Sequence, residues 1–270
     1  MRIRLTTYNI LHGYHSDLII KNISFLIEKG VNVICLQEVK QEFKKSLENL
    51  LKTQNWKGVY LHYPRACNLA IIWNPLCLTL ENEKHILLPI LLKPSFLQQF
   101  TGYAKEKLQR GALSACFSIG NKIFRITNAH LAWEGGARHR LSQLGCIMDI
   151  LDKELVDYDV LAGDFNTPSP VLFRRIQEKK IENKLGKKWT NVFQNIPYTC
   201  DTSYFAPQDG LGKYIKILHL FGIKFKQRLD YIFIKNLKII SKEMFDLLGS
   251  DHRPLMASFI DDNHQKDYLL

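Results

Sequence analysis

The sequence predicts an α/β fold in which two mixed β-sheets pack face to face with helices outside. Three observations point there. Strand patterns at 68–73, 76–80, 112–119 and 122–127 follow one another closely, which a singly wound parallel sheet would lack. Helical patterns, each with one apolar face, interrupt the strands. Polar residues stand directly after several apolar runs, where a rigid scaffold can aim them.

In chain order, residues 3–10 alternate as a strand. Ser16 or Asp17 caps a helix whose Ile19, Ile23, Leu26 and Ile27 share a face, and Gly30 ends it. A strand at 31–36 precedes a charged helix at 41–53 with Phe43, Leu47, Leu50 and Leu51 inward. Gly120-Asn121 joins 112–119 to 122–127 as a hairpin. A helix at 138–152 and a strand at 159–162 repeat the βα pattern, and Pro168 and Pro170 bracket the next helix start. Residues 183–228 are the least regular, and strands at 231–234, 237–240 and 254–260 close the sheets. Residues 1–260 are expected to form a single domain and 261–270 a polar, frayed tail.

The 270 residues are 46% hydrophobic, enough for a large core. No apolar run approaches the roughly 20 residues that span a bilayer, and the start of the chain has no long apolar core of a signal peptide. The six cysteines (Cys35, Cys67, Cys77, Cys116, Cys146 and Cys200) show no CxxC, which favours buried thiols over zinc ligands or a disulfide framework. A reducing compartment, a cytoplasmic location and a monomer are expected. The net charge of +11 favours polyanionic partners. Lys179, Lys180, Lys184, Lys187, Lys188, Lys213, Lys216, Lys224, Lys226 and Arg228 read as a basic rim or as a solvated surface. Trp189, Tyr198, Tyr204, Phe205 and Tyr214 are the nearby candidates for base stacking.

Seven short segments carry the chemistry: Thr7-Tyr8-Asn9, Leu36-Gln37-Glu38, Asn128-Ala129-His130-Leu131, Arg138 to Gln143, Gly163-Asp164-Phe165-Asn166, Leu229-Asp230-Tyr231 and Ser250-Asp251-His252. A strand-end carboxylate such as Glu38 needs a cation or donor, which a hard divalent ion or a salt bridge supplies. Asn9 offers a neutral oxygen or forms a turn. The i, i+2 spacing of Asp164 and Asn166 sends both side chains one way, for water and phosphate or for an Asx turn. His252 beside Asp251 suits proton or phosphate handling, with Asp230 as the carboxylate that orients it. His130 suits stabilisation of a phosphoryl group. Read singly, each is unremarkable. GxGxxG, GxxxxGK[ST], HExxH and GxSxG are all absent.

In this order the motifs resemble the endonuclease/exonuclease/phosphatase superfamily, over Asn9 to His252. The resemblance implies a four-layered α/β sandwich with its site at one sheet edge, and Mg²⁺ or Mn²⁺ as the metal. It implies metal-site roles for Asn9, Glu38 and Asp251, a water- and phosphate-handling pair in Asp164 and Asn166, a catalytic pair in His252 and Asp230, and His130 as the second histidine. Three departures narrow it. His130 stands where the apurinic-endonuclease branch has tyrosine, and Leu11-His12-Gly13 where that branch has an acidic residue. Asn68 stands where deoxyribonucleases place the glutamate partner of the second histidine, so His130 is expected to stabilise phosphate.

The expected function is a Mg²⁺-dependent phosphodiesterase that hydrolyses by in-line attack of water, foremost a nuclease on DNA or RNA. A phosphoesterase for a lipid head group or small phosphate ester is the alternative, suggested by the sphingomyelinase-like pattern at Asn128 to Leu131. A catalytically silent nucleic-acid-binding module ranks third, because every principal polar position is retained.

Overall fold

The computed structural model describes residues 2–63, 68–90, 109–168, 171–202 and 226–261. Its elements are β1 (Arg2–Asn9), a 3-10 turn (Leu11–Gly13), α1 (Ser16–Glu28), β2 (Val33–Gln37), α2 (Gln41–Thr53), β3 (Lys57–His62), β4 (Asn68–Trp73), β5 (Thr79–Leu87), β6 (Gly111–Ile119), β7 (Lys122–His130), α3 (Gly136–Leu151), β8 (Tyr158–Asp164), α4 (Val171–Leu185), β9 (Thr190–Asn191), β10 (Cys200–Asp201), β11 (Lys226–Gln227), β12 (Asp230–Lys235), β13 (Leu237–Met244) and β14 (Leu255–Asp261).

Two six-stranded sheets run in the orders β13-β14-β1-β2-β4-β3 and β5-β6-β7-β8-β12-β9, and β10-β11 is a separate short ribbon. Both sheets are mixed, with β1–β2 and β7–β8 the parallel pairs. Alternating residues of the two inner faces, among them Leu5, Ile71, Trp73, Phe117, Phe124 and Ile232, form the central core. Trp73 and Phe117 meet edge to face at 5.2 Å across it. α1 and α2 cover the outer face of the first sheet, with Ile19, Ile23, Phe43 and Leu47 against Ile34, Leu36 and Ile72. α3 and α4 cover the second through Leu144, Ile147, Ile181 and Leu185 against Leu161, Tyr231 and Phe233. This is the four-layered α/β sandwich. No helix among the described residues is long and apolar enough to cross a membrane.

Several local expectations are corrected. His15 precedes α1 without a side-chain cap, and Ser16 and Asp17 lie in its first turn. The strand expected at 76–80 begins only at Thr79, because Asn74 accepts the Leu76 N–H with its side chain and those of Cys77 and Leu78 with its carbonyl, forming a turn. β5 then continues to Leu87 as an edge strand whose polar residues hid it, and β3 also went unread. Asp261 closes β14 instead of opening a tail; 262–270 lie outside the described residues. Cys35, Cys116 and Cys200 are buried and Cys146 half-buried, but Cys77 is exposed; Cys67 lies outside the described residues. So does Pro170 of the expected helix start.

The pairing decides where polar residues gather. β1, β2, β7 and β8 end at Asn9, Gln37, His130 and Asp164, with Asn9 opposite Gln37 and His130 opposite Asp164. The antiparallel β12 begins at Asp230, opposite Asp164, and β14 begins opposite Thr7. Six strand ends from both sheets therefore open on one edge. Inside that edge the sheets are tied by buried amides. Gln37 Nε2 donates to Asn128 Oδ1 (2.7 Å) and Thr7 Oγ1 (3.0 Å), while Asn128 Nδ2 donates to the carbonyls of Leu36 (2.8 Å) and Ala70 (2.9 Å).

Gly163 lies one residue before Asp164 at φ +135°, and a Cβ there would sit 2.0 Å from the Ala129 carbonyl oxygen. Neither backbone can yield without breaking the β7–β8 pairing. Gly163→Ala is expected to lower the unfolding free energy by more than about 2 kcal/mol, read from the urea midpoint. A change within about 0.5 kcal/mol, the size ordinary surface substitutions give, would contradict this.

Candidate active site

Asn9, Glu38, Asp164, Asp230, Asp251, His252 and His130 all come together at the edge where the strands end. Glu38, immediately after β2 and at φ +64°, turns back over the edge. Asn9 Nδ2 donates to Glu38 Oε1 (3.2 Å) and to Asp164 Oδ2 (3.0 Å), while its side-chain Oδ1 accepts the Leu11 N–H (3.0 Å). One lone pair of the oxygen expected to face a metal is thus engaged by the backbone, and Nδ2 spaces two carboxylates. Ser250 Oγ donates to the Asn9 carbonyl (2.7 Å) and accepts the His252 N–H (3.1 Å), which fastens the loop before β14 to the end of β1.

Asp164 serves two readings at once. Oδ1 accepts the Asn166 N–H (2.8 Å) in an Asx turn, with Asn166 at φ +47°. Oδ2 faces the site, 3.7 Å from His130 Nε2 and 3.9 Å from His252 Nε2. The Asn166 side chain donates to the Leu131 carbonyl (2.8 Å), holding the loop after β7. The Arg138 to Gln143 stretch resolves into two further clamps on that loop: Gln143 Oε1 accepts the Ala132 N–H (2.8 Å) and Arg140 Nη1 donates to the Trp133 carbonyl (3.2 Å).

His252 Nδ1 lies 2.8 Å from Asp230 Oδ2. Burial works against a charged imidazole, but the Asp230 carboxylate outweighs it and raises the pKa well above the ordinary value. His130 goes the other way. Burial, then the charge of Arg110, lower it to about 3, so the ring is neutral. Arg110 Nη1 lies 3.3 Å from His130 Nε2, and a guanidinium can only donate, so Nε2 accepts and the ring proton is on Nδ1. Burial opposes ionisation of Glu38, yet His12, His252 and the Asn9 amide bring it down to about 2. Burial pushes Asp164 well above the usual carboxylate range and Asp251 up to about 6.

Asp230 Oδ1 and Asp251 Oδ1 are buried and have no hydrogen-bond partner among the described residues. Such oxygens are costly unless a cation meets them, so the residues fit a divalent ion. Asp164, Asp230 and His252 also place one donor atom each within 4.8 Å of one another.

Four contributors escaped the sequence reading. Arg110, mostly buried, bridges Glu134 (3.5 Å) and His130; the register Gly111 to His130 sets it there, a pairing no local pattern shows. Thr199 Oγ1 accepts the N–H groups of Leu229 (2.9 Å) and Asp230 (3.0 Å), and Cys200 pairs with His252 through an isolated bridge. His12 Nδ1 lies 3.1 Å from Glu38 Oε2.

The basic rim is mostly elsewhere. α4 starts beside the site-side end of β8 and runs back to β9, which pairs with Phe233 and Ile234 at the far end of β12. Lys184, Lys187 and Lys188 thus lie toward the opposite edge. Trp189 is buried in the core, and Arg228 is buried against Glu178 (2.6 Å). Lys226 does lie over the Tyr198 ring. Lys213, Lys216, Lys224, Tyr204, Phe205 and Tyr214 lie outside the described residues.

The family model of the Endonuclease/Exonuclease/phosphatase family matches residues 6–252. The chain belongs to this family. Membership makes it a hydrolase of phosphodiester or phosphate groups, in a family that generally depends on a divalent metal. D. rerio TDP2, solved with a single-strand DNA product, matches with a TM-score of 0.71 at 14% identity, over 96% of this chain and 99% of that one. An endonuclease/exonuclease/phosphatase from Bacteroides vulgatus gives 0.71 at 16% identity, over 97% and 100%. ANGEL2, described as a 2′,3′-cyclic phosphatase, gives 0.65 at 16%, over 96% and 95%. At these identities the likeness carries the fold. No curated protein sequence matches the chain.

Replacing Asp230 by Asn removes the strongest influence raising the His252 pKa. In chelator-treated protein, imidazole NMR should then show His252 titrating at lower pH. A raised folded pKa contributes stability that is full below the unfolded value of about 6.5 and is lost as pH rises through the folded value. Asp230→Asn should therefore cost more stability near pH 6 than at alkaline pH, and an unchanged His252 titration would refute the pairing.

Proposed function

We propose that this hydrolase is a Mg²⁺-dependent phosphodiesterase, a nuclease acting on DNA or RNA. The observation that carries the reading is the His252–Asp230 pair at 2.8 Å facing Asp164 across an edge that also holds Glu38 and the unpartnered Asp251 Oδ1. Glu38 and Asp251 would hold the ion, with Asn9 orienting Glu38 through Nδ2. The chemistry that bound Mg²⁺ supplies is neutralisation of charge on the phosphate oxygens, in an oxygen-rich shell completed by water.

The chain's own residues supply the rest. Asp164 Oδ2, with its pKa raised by burial, is suited to accept a proton from the attacking water. His252, kept protonated by Asp230, donates to a phosphate oxygen. Arg110 adds positive charge beside the neutral His130. Asn166 keeps the loop after β7 against the site through the Leu131 carbonyl.

A nucleic-acid substrate is favoured by what flanks Glu38. The His12 and Tyr14 rings meet edge to face at 5.3 Å, and Lys40 lies over the Tyr14 ring at 4.7 Å. Tyr14 is exposed. A π-face with a cation on it suits an unpaired base and its phosphate, and TDP2 is a neighbour whose structure holds single-strand DNA. A second reading, a phosphoesterase for a small phosphate ester or lipid head group, is supported by the likeness to ANGEL2, a 2′,3′-cyclic phosphatase.

Single- and double-stranded DNA and RNA, a 2′,3′-cyclic nucleotide and a phospholipid are incubated with the protein in Mg²⁺ or EDTA. Cleavage of nucleic acid in Mg²⁺ alone is expected, weakening steeply with salt. Asp164→Ala and His252→Ala should each lower turnover by about 10²-fold or more. Turnover of only the small esters would transfer the proposal to the second reading, and cleavage unaffected by EDTA would overturn it.

A further inference from the structure

The oxygen-rich edge has a sulfur neighbour. Cys200 and His252 are directly paired across the antiparallel bridge between the β10 segment and the loop before β14. Residues paired in this way project to the same face. The Cys200 thiol lies 3.9 Å from Asp251 Oδ2. One donor atom each from Cys200, Asp251 and His252 lies within 4.8 Å of the others, and all three residues are buried. Asp251 is 6% exposed, and its Oδ1 has no hydrogen-bond partner among the described residues.

A Mg²⁺ ion takes oxygen ligands and has no use for a thiol. A tetrahedral thiophilic ion does: with Zn–S near 2.3 Å and Zn–N or Zn–O near 2.1 Å, ligand atoms stand about 3.5 Å apart. The Cys200–Asp251 distance is within a few tenths of an ångström of that value. The carboxylate of Asp230 on His252 Nδ1 is the kind of outer partner that commonly orients a metal-bound imidazole.

We propose that Cys200, Asp251 and His252 form a second, thiolate-containing site for a thiophilic divalent cation such as Zn²⁺, and that filling it switches the hydrolase off. Binding exchanges the Cys200 S–H proton, released to solvent, for a Zn–S bond, with no change in oxidation state. Inhibition follows because the ion withdraws Asp251 and His252 from the phosphate site. That second clause rests on the function proposed above; binding does not.

The test separates the two. Co²⁺ is titrated into the purified full chain, and thiolate-to-Co²⁺ charge-transfer absorption in the near ultraviolet is followed. One equivalent of the band is expected, displaced by Zn²⁺, retained in Cys77→Ser and missing in Cys200→Ser, with Cys200→Ala used if the serine variant does not fold. No band in the parent, or a band that survives removal of Cys200, overturns the site. Activity in excess Mg²⁺ is then measured against Zn²⁺, normalised to each protein's activity in Mg²⁺ alone. Cys200→Ser should raise the half-inhibiting Zn²⁺ concentration at least tenfold, and equal sensitivity overturns the switch. A normal Co²⁺ band in a protein that cleaves no phosphate ester would leave the site standing and refute the proposed function instead.

Discussion

The hydrogen bond between Gln37 and Asn128 is the join on which the site edge depends. Each side chain stands at the inner face of its own sheet, close to a residue that must be aimed: Glu38 follows Gln37, and His130 shares a face with Asn128 two residues on. Because Asn128 Nδ2 is also engaged with the Leu36 and Ala70 carbonyls, one side chain bonds to both β2 and β4 of the opposite sheet. Buried amides of this kind are costly when half satisfied and directional when satisfied. Apolar packing alone would leave the two sheets free to slide by fractions of an ångström. The amides fix the offset between them, and with it the spacing of Glu38, His130 and Asp164.

Around that join, short polar bonds position each functional group from the backbone of another segment. Thr199 holds the N–H of Asp230, Ser250 holds the carbonyl of Asn9, and Asn166 holds the carbonyl of Leu131. These bonds set the spacing of the edge independently of the apolar core, whose side chains tolerate substitution at conserved volume.

What could be read from the sequence follows the same physics. Asn9, Glu38 and Asp164 were legible because an apolar run ending in a polar residue announces a strand end, and strand ends converge; Asp230 and His252 were legible as a carboxylate and an imidazole suited to pair. The helix at Gln41–Thr53 was legible because Phe43, Leu47, Leu50 and Leu51 repeat at helical spacing. Arg110 was not, since its place beside His130 comes from the β6–β7 register. Thr199 and Cys200 belong to a two-residue strand, too short to show alternation. Lys184, Lys187 and Lys188 misled because charge density carries no information about which end of a helix faces the site. Trp189 misled because an aromatic residue among lysines looks exposed until its neighbours in the core are known.

The order in which the edge is assembled has a consequence for the protein's birth. Asn9 and Glu38 emerge early from the ribosome, Asp164 past the middle, and Asp230 and His252 near the end of the chain. The proton-handling pair is translated last, so the edge is complete only when nearly the whole chain has been made.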